Sequence, residues 1–133
     1  MSKIIPKEIR LKIYNKYNGH CAYCGSPIEY KDMNIDHIKP IMRGWTDSDK
    51  DKYIGKNIFG DDSIENYNPS CRMCNYYKSS NTLESFRNWA LGGIIERLRK
   101  LFIFRLAEKY GMITVNEWDK KFYFEKINNN LDI

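Results

Sequence analysis

The chain predicts a small α+β domain organised around metal, with helices at both ends, and three observations predict it. Two Cys-x-x-Cys pairs, Cys21-Ala-Tyr-Cys24 and Cys71-Arg-Met-Cys74, bring four sulfurs into two tight turns. Apolar residues recur at helical spacing near the N terminus and again across the C-terminal third. Between them, Met33 to His37 reads as a short strand, and Asn68, which precedes Pro69, is held extended. At 133 residues the chain is read as one domain, 1–133, with a modest core.

Each element has a local cause. Pro6 suits the first position of a helix, Ile9, Ile13, Tyr14 and Tyr17 supply its apolar stripe, and Asn18-Gly19 ends it. Gly25-Ser-Pro27 makes a turn behind the first cysteine pair. Residues from Pro40 to Asp62 form a long polar loop, and the segment from Asp47 to Glu65 is locally acidic within a basic chain. That loop reads as a solvated segment; the sharper alternative is that one of its carboxylates reaches a metal. Ser70 is placed to cap a short helix from Cys71 to Ser79. A second helix starts near Thr82, carries Leu83, Phe86, Ala90, Ile94 and Leu98, and kinks or splits at Gly92-Gly93. It stops at Gly111, and the stripe from Leu83 to Leu106 reads as core. Phe122 to Glu125 is a short strand or an ordered tail.

Composition narrows the function classes. Nineteen aromatic residues (ten Tyr, six Phe, three Trp) exclude a disordered or low-complexity chain. A net charge of +5 permits an anionic partner without requiring one. No apolar run suits a signal peptide or a membrane span, so a reducing, cytoplasmic location and no membrane partner are expected. In that compartment, paired cysteines are metal ligands and not a disulfide framework. Four thiolates suit tetrahedral Zn²⁺ and leave no open position, so Cys21, Cys24, Cys71 and Cys74 are expected to hold a structural ion. Chemistry must then come from elsewhere. His20, beside Cys21, reads as structural, although it could compete for zinc.

Three further stretches carry a resemblance: His20-Cys-Ala-Tyr-Cys-Gly25, Ile35-Asp-His-Ile-Lys-Pro40, and Ser63-Ile-Glu-Asn-Tyr-Asn-Pro-Ser-Cys-Arg-Met-Cys-Asn-Tyr-Tyr-Lys78. Together, over about 14–87, they resemble an HNH endonuclease of the four-cysteine zinc type, a small phage-like His-Me finger. The helical extension, about 82–133, resembles the tails of such proteins only loosely. The resemblance implies a ββα-metal, treble-clef-like finger clasping one divalent ion. It implies that His37 is the general base, that Asp36 and Asn75 are ligands of the catalytic cation, and that Asn66 bonds the backbone of the loop carrying His37. It further implies a double-stranded DNA partner and leaves a homodimer or larger complex undetermined.

The implied chemistry is coherent. Phosphodiester hydrolysis uses a base that titrates near neutrality and a cation that neutralises the phosphorane and the leaving 3′ oxygen. Carboxylate and amide oxygens are hard ligands suited to Mg²⁺ or Mn²⁺. Arg72, Asn75 and Ser79 share one side of the expected helix, rotated from the cysteine face. Arg72, Lys78 and Arg43 are candidate phosphate contacts, each with the plainer alternative of a solvated side chain. Arg97, Arg99 and Lys100 either extend a DNA-facing surface or only solvate their helix, and Asn68 reads as a turn residue. The rival class is a non-catalytic zinc module, such as an inhibitor, that binds nucleic acid or protein on the same scaffold.

Overall fold

The computed structural model describes residues 4–41, 46, 48–49, 52 and 59–131. Arg43 and most of the polar loop around it lie outside the described residues. Helix α1 spans Lys7–Asn15, with Pro6 in extended geometry as its cap and not as its first residue. Ile13 is its buried side chain and packs with Met33 and Tyr67. The helix ends where Asn18 and Gly19 adopt positive φ, 54° and 79°.

Strand β1, Asn34–His37, pairs antiparallel with β2, Tyr67–Ser70, in the register Asn34↔Ser70, Ile35↔Pro69, Asp36↔Asn68 and His37↔Tyr67. Pro69 is tolerated inside β2 because its carbonyl, and therefore its nitrogen, faces away from β1. That carbonyl accepts the N–H of Ala22 at 2.9 Å, so the first cysteine turn is tied to the outer edge of the ribbon. Asn68, read from sequence as a turn residue, instead lies buried within β2.

Helix α2, Arg72–Lys78, follows directly. Its cap is Cys71 and not Ser70: the Cys71 sulfur accepts the Cys74 N–H at 3.4 Å, while the Ser70 hydroxyl donates to the Cys71 carbonyl. The residue with extended φ and ψ takes the capping position, and that residue is Cys71. Thr82 caps α3, Leu83–Ser85, through a 3.1 Å bond from Ser85 N–H. The chain continues into a π-helical turn, Phe86–Leu91, closed by Gly92 N–H on the Arg87 carbonyl at 3.0 Å.

After Gly92-Gly93 come α4, Ile94–Arg99, and α5, Phe102–Lys109, which ends at Gly111 with φ of 71°. Between them Leu101 is extended, a break that the apolar periodicity did not reveal. The break also limits the core. Phe86 is buried and Leu83, Ala90 and Leu91 pack around it, whereas Phe102 and Ile103 are 71% and 73% exposed. The stripe expected to be core as far as Leu106 is therefore core only in its first half.

Helix α6, Tyr123–Leu131, replaces the strand or tail expected around Phe122 to Glu125. Glu125 accepts the Phe122 N–H at 2.8 Å and starts the helix from within, a capping arrangement that outweighs the strand propensity of three successive aromatics. Just ahead of it, Phe122 stacks on Phe86 at 5.3 Å and meets the edge of Tyr23 at 5.3 Å, with the Arg87 guanidinium 4.9 Å over its ring. No helix among the described residues is long and apolar enough to cross a membrane.

Phe122 is thus the side chain through which the C-terminal segment joins the core. Phe122→Ala is expected to cost about 3–5 kcal/mol, the range for emptying a buried aromatic site. Urea denaturation of the purified variant measures this directly.

Candidate metal centre and active site

The four cysteine sulfurs lie within 4.8 Å of one another, and those of Cys24 and Cys71 are 3.8 Å apart. A tetrahedron of sulfurs about 2.3 Å from one ion has edges of about 3.8 Å, so the cluster has the dimensions of a Zn²⁺ site. None of the four is in a disulfide. The thiols also conflict electrostatically: a hydrogen bond from Cys74 draws Cys21 down to about 4, and the same interaction drives Cys74 far upward. A divalent cation removes that conflict by taking all four as thiolates. The donor set and its size therefore fit a structural zinc.

Both turns are built for this. In the first, Cys21 N–H bonds the Ser26 carbonyl at 2.8 Å, and Gly25 N–H returns to the Cys21 carbonyl at 3.0 Å. Gly25 has a φ of 79°, and a Cβ there would meet the Tyr123 ring at 2.8 Å, so glycine is required twice over. His20 is not a competing ligand. Its Nδ1 bonds the Gly25 carbonyl at 2.8 Å and its ring stacks on Tyr123. The second turn is the start of α2, where the capping sulfur of Cys71 belongs to the cluster as well.

Asp36, His37 and Asn75 line one polar cleft of about 150 Å³, together with Pro40, Ser79 and Ser80. Successive residues of β1 face opposite ways, so Asp36 turns toward the cysteine turn and His37 toward the loop before β2. The cleft lies where the strand ends and both are reached. Arg72 lies elsewhere, in a depression with Pro27, Glu29, Asp32 and Asn34. Helical phase placed Arg72 beside Asn75, yet the structure does not bring it to the cleft.

Asp36 is 4% exposed and strongly engaged. Tyr23 donates its hydroxyl hydrogen to Asp36 Oδ2, and Lys78 Nζ lies 3.1 Å from the same oxygen and 3.3 Å from Oδ1. Lys78, the expected phosphate contact, is instead wholly buried and also donates to the carbonyls of His37 at 2.8 Å and Asn81 at 3.1 Å. Its helical position faces the strand and not the solvent. Burial is the larger influence on each partner: it lifts the Asp36 carboxyl above, and lowers the Lys78 ammonium below, their ordinary values, while their attraction pulls the other way.

Asn66 closes the far side. Its Oδ1 accepts the Lys39 N–H at 2.9 Å, and its Nδ2 donates to the carbonyls of Lys39 at 3.0 Å and Asp61 at 2.9 Å. It thereby clamps the chain just after His37 to the chain entering β2. Gly60 lies against this amide so closely that any Cβ would strike it. Arg97 and Arg99, read as either DNA-facing or only solvating their helix, stay exposed and are engaged locally: Arg97 donates to the carbonyls of Trp89 and Ala90, and Arg99 pairs with Glu108 at 3.1 Å.

Two residues at the site escaped the sequence reading. Tyr23 lies inside a cysteine turn and was assigned no role of its own there. Asp62, at the end of the loop whose carboxylates were weighed as metal ligands, lies 3.1 Å from His37 Nε2, a contact to the imidazole that was not foreseen.

No protein-family model and no curated protein matches the chain. Among solved structures it is similar to the Type II-C Cas9 enzyme from Actinomyces naeslundii, at 22% identity and a TM-score of 0.48. That similarity covers 67% of this chain and 8% of the Cas9 chain, so it concerns a small part of the larger enzyme.

Chelation of the structural ion is expected to unfold the domain, and Cys71→Ser to lose both bound zinc and the cooperative melt; a native melt with zinc retained would refute the assignment. Lys78→Met is expected to cost about 3–5 kcal/mol because it strands the buried Asp36 charge. Denaturant titration of the purified variant reads that cost directly.

Proposed function

We propose that the protein is a metal-dependent HNH-type endonuclease that hydrolyses DNA phosphodiester bonds. The observation that carries this reading is the convergence of Asp36, His37 and Asn75 on one polar cleft, beside a helix whose first turn holds half of the four-sulfur cluster. Thiolate ligation of that kind also favours a reducing compartment, hence the cytoplasm.

In this reading His37 takes a proton from water, the resulting hydroxide attacks phosphorus in line, and the 3′ oxygen leaves and takes a proton from solvent. Asp36 and Asn75 offer oxygen ligands, and a bound Mg²⁺ or Mn²⁺ would neutralise charge on the phosphate and the leaving oxygen. Asn66 keeps the backbone after His37 from drifting. Arg72 and Arg43 remain candidates for contacts to DNA outside the cleft. One finger holds one catalytic centre, so a monomer nicks, and cutting both strands of a duplex takes two copies or two events.

Asp36 already balances the Lys78 ammonium, so the cleft offers a divalent ion little net negative charge. A divalent cation held by Asp36 and Asn75 would therefore draw its remaining charge balance from substrate phosphate. The same pairing is what favours the rival reading, a non-catalytic zinc module that binds nucleic acid or protein.

A plasmid-nicking assay with Mg²⁺, with Mn²⁺ and with EDTA separates the two. Metal-dependent nicking is expected, and His37→Ala is expected to lower it by at least about 100-fold while zinc content, folding and DNA binding persist. Undiminished cleavage by the purified variant would overturn the mechanism, and inactivity of the wild type across metals and substrates would favour the binding module.

A further inference from the structure

The carboxylate of Asp62 approaches His37 from the side of the loop that enters β2, with Oδ1 3.1 Å from Nε2. Tyr67, the register partner of His37, donates its hydroxyl hydrogen to the same oxygen at 3.1 Å and presents its ring to the imidazole at 5.0 Å. The imidazole is therefore held by a carboxylate, by an aromatic ring and by the backbone bond from Lys78 to its own carbonyl. An ionised carboxylate only accepts hydrogen bonds, so the nitrogen it faces carries the proton. Among the described residues nothing bonds Nδ1.

We propose that Asp62 is a positioning residue that fixes His37 with its proton on Nε2 and the lone pair of Nδ1 presented to water. The inference rests on the nuclease reading for its purpose and on geometry alone for its content. When Nδ1 takes a proton from water, the positive ring lies against the Asp62 carboxylate, which stabilises it without accepting a proton. Tyr67 shares the Asp62 oxygen and so holds the carboxylate in register with β2. Asp61, its neighbour, is spent differently: it accepts from the N–H of Ser63 at 3.0 Å and turns the chain.

The test reads the proton and the rate separately. The chain has two histidines, so nitrogen-15 labelling resolves both rings without ambiguity. At mildly alkaline pH the wild type is expected to show a slowly exchanging N–H on Nε2 of His37, lost in Asp62→Ala, while the His20 signal persists as a control for folding. With DNA and Mg²⁺, Asp62→Ala is expected to lower kcat about 10- to 100-fold with KM within about threefold. Asp62→Asn, whose amide oxygen still accepts, is expected to fall between. A proton found on Nδ1, an Nε2–H signal indifferent to Asp62→Ala, or an unchanged kcat overturns the proposal. A wild type that cuts no DNA but shows the signal and its loss upholds the His37 orientation and sinks the nuclease reading instead.

Discussion

The ammonium of Lys78 is the point at which strand, helix and following loop are joined. It reaches Asp36 and the carbonyl of His37 on β1, and the carbonyl of Asn81 beyond α2. A buried cation without such partners would cost several kcal/mol, so the three acceptors and the lysine require one another. The consequence is geometric. Because β1 carries Asp36 and His37 while α2 carries Asn75, the distance across the cleft is set by a contact that never touches solvent.

The opposite end of α2 is fixed by sulfur. Cys71 caps the helix with the same atom that belongs to the cluster, so ligation and helix start are one event. Asn75 lies between this anchor and Lys78, one turn from each, and has little freedom to move relative to β1. The ribbon is held from its other edge by the Ala22 to Pro69 bond. Sulfur cluster and polar cleft are thus separate in chemistry but joined through a single short helix.

Much of this was legible in the residues. The doubled cysteine spacing, the Asp36-His37 pair and the extended Asn68-Pro69 step each have a strong local cause, and each lies where its cause puts it. What stayed hidden depended on tertiary context. Lys78 looks like any surface lysine until its helix is laid against β1, because one face of a seven-residue helix cannot be assigned from seven residues. The Leu101 break has no glycine or proline to announce it, so the apolar stripe read through it. Three aromatics in a row looked like a strand, whereas the deciding bond came from Glu125 to the Phe122 N–H. Asp62 gained its meaning only when the return of β2 brought the loop onto His37.

The backbone of the C-terminal segment bonds directly to the first cysteine turn: Tyr123 N–H donates to the Tyr23 carbonyl at 3.1 Å, and Phe124 N–H to that of Ala22 at 2.8 Å. These partners lie near opposite ends of the described chain, so their pairing closes a long loop at an entropic cost. During synthesis the two cysteine turns and the ribbon emerge first and assemble without this cover. Until that segment arrives, the turn carrying Cys21 lacks the aromatic cover it has in the fold. The arrival of Phe122 to Phe124 covers Cys21 while Cys24 stays exposed, so the last described helix is a clasp on one side of the cysteine centre.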